Sequence, residues 1–154
     1  MFVTCQSHFV EATLAWLREA GQRQCECVVL WLGRRQSDLI LVEEAYLPPQ
    51  TAKADMFHIP QASMTELYAI LRQRRLMVAA QVHSHPHEAF HSKADDRWAI
   101  IRHESALSLV VPNFAVNTTT SSFMDDAKVY SYSTSAQWTE VPKFMVQHSC
   151  LRIS

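Results

Sequence analysis

An α/β (α+β) sandwich, with a mixed β-sheet packed between helices, is the fold class this sequence predicts. Three observations carry it. Segments patterned as helix, two strands, helix, strand, helix and further strands follow one another, an order that layers helices on a mixed sheet. At 154 residues, with 48% apolar and 19% charged side chains, the chain suits one folded domain spanning 1–154. Glycine occurs only at Gly21 and Gly33, and no repeat, low-complexity tract or linker divides the chain.

Each element has its own signal. Phe9, Ala12, Thr13, Trp16, Leu17 and Ala20 recur at helical spacing after Ser7, a candidate N-cap, and Gly21 is a fitting stop. Cys25 to Leu32 is an apolar run bounded by Gly33 and predicts a buried strand. Asp38 to Tyr46 predicts a second strand, joined through the polar turn Arg34-Arg35-Gln36-Ser37 and ended by Pro48 and Pro49. Residues 49–60 predict a loop or an irregular edge segment. Ser63-Met64-Thr65-Glu66 has the form of a capping box, and Met64, Leu67, Ile70 and Leu71 supply the apolar stripe of a second helix. Leu76 to Val82 predicts a buried strand running into His83. Ser92 to His103 predicts a third helix, with Ser92 as N-cap and Asp95 in its first turn. Leu107 to Val111 predicts a strand stopped by Pro112, and Ala127 to Ser133 a half-exposed one.

Composition excludes several functions. A net charge of −1 offers no electrostatic footprint for nucleic acid or an anionic membrane surface. No apolar run reaches the roughly 18 residues of a spanning helix. Met1 to Val10 lacks the basic-then-apolar pattern of a signal peptide, so a cytoplasmic protein is expected. Cys5, Cys25, Cys27 and Cys150 form no CxxC pair, and buried inert thiols outweigh a metal or redox role for them.

The chemistry concentrates in His83-Ser84-His85-Pro86-His87-Glu88-Ala89-Phe90-His91-Ser92-Lys93-Ala94-Asp95. Of eight histidines in the chain, three fall between positions 83 and 87. Two histidines two residues apart at a strand end project to one side, so both imidazoles can meet one cation. Pro86 turns the chain, and a carboxylate ten residues after His85, at a helix start, can fold back as a third ligand. Two His and one carboxylate with an open fourth position suit catalytic zinc, Zn2+, which makes a nucleophile of water near neutral pH. A lone HxH pair is more often structural or merely exposed; Pro86, Ser92 and Asp95 shift the balance. His87 and His91 are expected to be loop residues without a metal role, and His58 structural or exposed.

His83-Ser84-His85-Pro86 followed by Ser92-x-x-Asp95 resembles the metal motif of the JAB/MPN (JAMM) metalloproteases. Glu26-Cys27-Val28-Val29-Leu30-Trp31-Leu32-Gly33 is similar to the upstream strand that carries the glutamate of that family. The resemblance extends over most of the chain up to about Asn113. The loop from Pro86 to Ser92 is one residue shorter than is usual there, and His87 and Val29 stand where glycines are common. The resemblance implies a JAB1/MPN-like, cytidine-deaminase-like domain with zinc held by His83, His85 and Asp95. It implies Glu26 as general base and Ser92 as hydrogen-bond donor to the oxyanion. Glu43 and Glu44 compete with Glu26, and Asp96 with Asp95, but neither has the motif's spacing.

The size resembles the prokaryotic branch, which implies a deubiquitinase-like isopeptidase cutting after the C-terminus of a ubiquitin-like protein. It further implies work beside E1-like and E2-like proteins in a conjugation system of anti-phage defence. Alternatives are a small-molecule metallohydrolase of the same fold and a non-catalytic MPN scaffold. An HxH metallohydrolase on a TIM barrel is disfavoured, because that barrel needs about 250 residues.

Overall fold

The computed structural model describes residues 1–52, 57–92, 95 and 99–154. Its strands are β1 (Phe2–Cys5), β2 (Val28–Gln36), β3 (Leu39–Tyr46), β4 (Thr51–Ala52), β5 (Phe57–His58), β6 (Met77–Ser84), β7 (Leu107–Val111), β8 (Lys128–Tyr132), β9 (Trp138–Glu140) and β10 (Leu151–Ile153). The α-helices with both ends among the described residues are α1 (Ser7–Gln22), α2 (Gln61–Arg74), α3 (Phe123–Asp126) and α4 (Lys143–Ser149). Eight strands form one mixed sheet in the order β10-β1-β3-β2-β6-β7-β8-β9, and β4 pairs with β5 apart from it. The predicted α/β class is the observed one.

The centre of the sheet is β2 and β6; β2 is buried from Val28 to Gly33 and β6 from Val78 to Ser84. That burial on two faces explains why their sequences read as continuous apolar runs rather than alternating ones. On one face Val29 and Trp31 pack with Val10, Leu14, Leu17 and Ala20 of α1. On the other, Val28, Leu30 and Leu32 pack with Leu67 of α2 and with Ile101. Thr13, buried in α1, donates to the Phe9 carbonyl at 2.7 Å and accepts from the Trp31 indole at 2.9 Å, so no polar atom of that pair is stranded. Both glycines sit where no side chain fits. A Cβ on Gly21 would lie 2.5 Å from the Phe114 Cβ, and one on Gly33 would lie 2.6 Å from the Leu41 carbonyl, beside the bulge at Leu32 and Gly33.

Several expectations are corrected. The helix at Ser7 has Gln6 as its N-cap, without a side-chain hydrogen bond, and runs through Gly21. Strand β2 starts at Val28 and continues past Gly33, so Cys25, Glu26 and Cys27 precede it. The turn is Ser37-Asp38, with Ser37 at φ 55°. The Ser63–Glu66 capping box does not form: α2 starts at Gln61 behind Pro60, which turns Ser63 into a buried residue inside the helix. Segment 49–60 contains β4 and β5 rather than loop alone. Of the helix expected over Ser92 to His103, Asp95 is helical and residues 99–103 are not. There the Ile100 N–H is taken by the buried Gln81 side chain at 3.0 Å instead of by a helical carbonyl. Residues 93–94 and 96–98, including the competitor Asp96, lie outside the described ones. Among the described residues, no helix is long and apolar enough to cross a membrane.

Candidate metal centre

The site forms where β6 leaves the sheet. His83 is still in β6, held between Val28 of β2 and Val110 of β7. His85 follows the strand, and its N–H donates to the Val111 carbonyl at 2.9 Å. Behind Pro86 the loop is pinned by the turn after β7: Phe114 N–H donates to the His85 carbonyl and Asn113 N–H to the His87 carbonyl, both at 2.8 Å. Asn113, Phe114 and Ala115 all have positive φ, of 53°, 51° and 60°. Two of these are not Asn, Asp or Gly, and each costs on the order of 1–2 kcal/mol. The turn is held all the same, because Arg18 of α1 donates to the Ala115 carbonyl at 3.1 Å and Gly21 makes room for Phe114.

Asp95 is set by its own cap. Ser92 Oγ accepts from the Asp95 N–H at 3.0 Å, and the Ser92 N–H donates to Asp95 Oδ2 at 2.7 Å. This reciprocal pair is the N-cap expected at Ser92, and it aims the carboxylate back at the histidines. Oδ1 lies 3.3 Å from His83 Nε2, and Oδ2 lies 3.2 Å from His85 Nε2. Glu26 Oε1 stands 4.0 Å from His85 Nε2. His83, His85, Asp95 and Glu26 are 0%, 4%, 6% and 3% exposed, so four ionisable groups share one dry place.

The residues fit a metal ion. Ligand atoms about 2.05 Å from a tetrahedral centre lie about 3.3 Å apart, and the two Asp95–His separations have that length. The donor atoms of His83, His85 and Asp95 all fall within 4.8 Å of one another. Among the described residues the buried imidazole of His83 has no hydrogen bond at Nδ1, and its Nε2 meets only the Asp95 carboxylate, at 3.3 Å. An unsatisfied buried polar group costs about 1–3 kcal/mol, which a ligand there would relieve. Burial alone would push the Asp95 carboxyl up, but the His83 and His85 imidazoles and the Ser92 N–H hold it far below the usual carboxylate range.

The remaining candidates separate cleanly. Glu43 and Glu44 pair with Arg34 and Arg74 on β3, Glu43 at 2.9 Å, with Glu43 held acidic by its Arg34 bond. His87 and His58 are exposed. His91 packs on the rings of Tyr130 and Trp138, with centroids at 5.0 and 5.2 Å, outside the His-His-Asp group. Two aromatic residues the sequence did not single out wall the site. Phe90 meets His85 edge-on at 4.6 Å, and Phe57 lies 5.8 Å from His83. A Phe five residues after His85, in a mostly polar stretch, was the available signal. A cavity of about 460 Å³ adjoins Glu26, between α1 and the chain after β3, walled by Trp16, Ala20, Arg23, Leu47 and Pro49.

Cys25 and Cys27 flank Glu26 and line its cavity, but no cysteine belongs to the His-His-Asp group. Burial pushes the Cys5 and Cys27 thiols up to about 12, so neither is a thiolate near neutral pH. Chelators are expected to abolish catalytic activity, whereas gentle alkylation with iodoacetamide leaves it intact. Turnover lost on alkylation with the metal still bound would bring back a cysteine mechanism.

A buried His-His-carboxylate group beside a second carboxylate, on an α/β scaffold, fits a metal-dependent hydrolase. The chain is 36% identical to the probable metalloprotease y4jG of Sinorhizobium fredii over 139 residues, 86% of this chain and 83% of that protein, and it belongs to that protein's family. The solution structure of protein DSY2949 from Desulfitobacterium hafniense superposes with a TM-score of 0.67, covering 99% of this chain and 93% of that one. At 20% identity that likeness shows the fold alone. No protein-family model matches the chain.

Proposed function

We propose that the chain is a zinc-dependent peptidase of the JAB/MPN (JAMM) type that cuts the peptide or isopeptide bond after the C-terminal tail of a ubiquitin-like protein. The observation that carries this reading is the convergence of His83, His85 and Asp95 with the Glu26 carboxylate alongside. Two imidazoles and one carboxylate whose donor atoms lie within 4.8 Å of one another favour zinc over the all-oxygen sites of magnesium or calcium. Bound by those three residues, zinc would polarise the scissile carbonyl and bring the pKa of water to about 7. Glu26 accepts a proton from the attacking water and delivers it to the leaving amine as the C–N bond breaks. Ser92 Oγ already accepts the Asp95 N–H, and its own proton is directed to the carbonyl oxygen as negative charge develops there. The choice of a ubiquitin-like substrate, with E1-like and E2-like proteins as partners in a defence system, rests on the resemblance to the prokaryotic branch of the JAB/MPN family alone.

The substrate tail enters as an extended strand beside β4 and β5. These pair through Thr51↔His58 and Ala52↔Phe57, and Phe57 reaches His83, so the hairpin flanks the centre. A flexible tail adds to such an edge by backbone hydrogen bonds. Fusions of a ubiquitin-like protein to a reporter are expected to be cleaved after its terminal residue, with free short peptides cut far more slowly. Deleting part of segment 49–60 should raise KM or abolish cleavage while the metal stays bound. Equal rates on fusions and short peptides would reject the substrate class, and unchanged kinetics after the deletion would reject the placement.

A further inference from the structure

Glu26 lies outside the sheet, two residues ahead of β2, so something other than a strand ladder must fix its backbone. In extended chain the N–H and C=O of one residue point to one side and those of the next to the other. Cys27 turns both groups toward β6: Ser84 N–H donates to the Cys27 carbonyl at 3.1 Å, and Cys27 N–H donates to Ser84 Oγ at 3.2 Å. Val28 turns both toward the β3 side. No strand meets it there, because the β2–β3 ladder reaches only Leu30↔Tyr46 before Pro48 and Pro49 carry the chain away. The Gln50 side chain fills the gap. Val28 N–H donates to Gln50 Oε1 at 2.9 Å, and Gln50 Nε2 donates to the carbonyls of Val28 at 2.9 Å and Pro48 at 3.0 Å. A carboxamide carries donor and acceptor together and so imitates the missing peptide group.

We propose that Gln50 and Ser84 are positioning residues that clamp residues 27 and 28 from both sides and thereby hold the Glu26 carboxylate against the His-His-Asp group. This inference rests on the reading of Glu26 as the base. The clamp joins the two halves of the centre: Ser84 lies between His83 and His85, and Val28 is the ladder partner of His83. Gln50 also lines the cavity beside Glu26. A base displaced by about 1 Å can lose on the order of 10² in rate while substrate binding is unaffected.

The test compares Gln50→Ala, Ser84→Ala and Ser84→Thr with wild type and with Glu26→Gln, all metal-loaded. It reads metal content, amide hydrogen exchange, kcat and KM on the ubiquitin-like fusion. Gln50→Ala should lose protection at the Val28 amide and Ser84→Ala at the Cys27 amide, with stoichiometric metal. The rate kcat should fall about 10- to 100-fold, with KM within about three-fold, and Ser84→Thr should restore it because the hydroxyl returns. If Gln50→Ala does not fold, Gln50→Leu replaces it, filling similar space while offering neither the acceptor for the Val28 N–H nor a donor to the two carbonyls. Unchanged protection at both amides overturns the clamp whatever the activity. Alanine variants with near-normal kcat beside an inactive Glu26→Gln overturn the clamp and leave the base standing. Normal turnover in Glu26→Gln instead removes the base and the clamp's purpose together.

Discussion

Glu26→Gln is expected to keep the fold and the metal and to lose at least about 10²-fold in kcat, within the 10² to 10⁴ span of general-base catalysis. The side chain is buried and its Oε1 lies 4.0 Å from His85 Nε2, beside the metal group rather than within its shared carboxylate contacts. Glutamine has nearly the same shape, so packing and substrate binding should survive, but its amide cannot take up a proton. The variant should therefore trap substrate. The same assay holds its own control. Glu43 and Glu44 are engaged by Arg34 and Arg74 on the surface of β3, so Glu43→Gln and Glu44→Gln should stay within a few-fold of wild type. Near-normal turnover by Glu26→Gln would falsify the base assignment.

Loss of metal is the second large effect. His83→Ala or Asp95→Ala should lower metal affinity by more than about 100-fold, since even residues that only orient ligands cost 10- to 100-fold. The direct measurement is metal content after dialysis. A His83→Ala, His85→Ala double variant that keeps one zinc per chain would place the metal elsewhere. Acid should also release the metal, because a protonated imidazole cannot ligate. In the metal-free protein Asp95 acts through linkage with a definite sign. Its folded-state pKa is depressed by His83, His85 and Ser92, so the stability it contributes is present above the ordinary aspartate range, near 4, and is lost as the pH falls toward the folded value. The metal-loaded protein should melt higher, by about 4 kcal/mol of added stability when free metal is a thousand times Kd.

The His-His-Asp group was legible because it is local. A strand end, a proline turn and a helix cap lie within thirteen consecutive residues, from His83 to Asp95, and each is set by short-range rules. The central strands were legible because burial on both faces leaves an apolar run that nothing else explains. The edges were not. Strand β1 has four residues, too few for a periodic signal, and exists through pairing with β3 and with β10 at the far end of the chain. The helix expected through Ile100 and Ile101 gave way because Gln81, on a strand, captures the Ile100 N–H. Glu26 shows the same division. The sequence by itself determined that Glu26 stands at the head of an apolar run, where a carboxylate is costly to bury without a partner. Only the tertiary structure decided that it stands against His85, because its partner lies 59 residues away and the bonds on the next two residues, Cys27 and Val28, come from Ser84 and Gln50. Such contacts are side chain to backbone across separate elements, and no spacing along the chain encodes them.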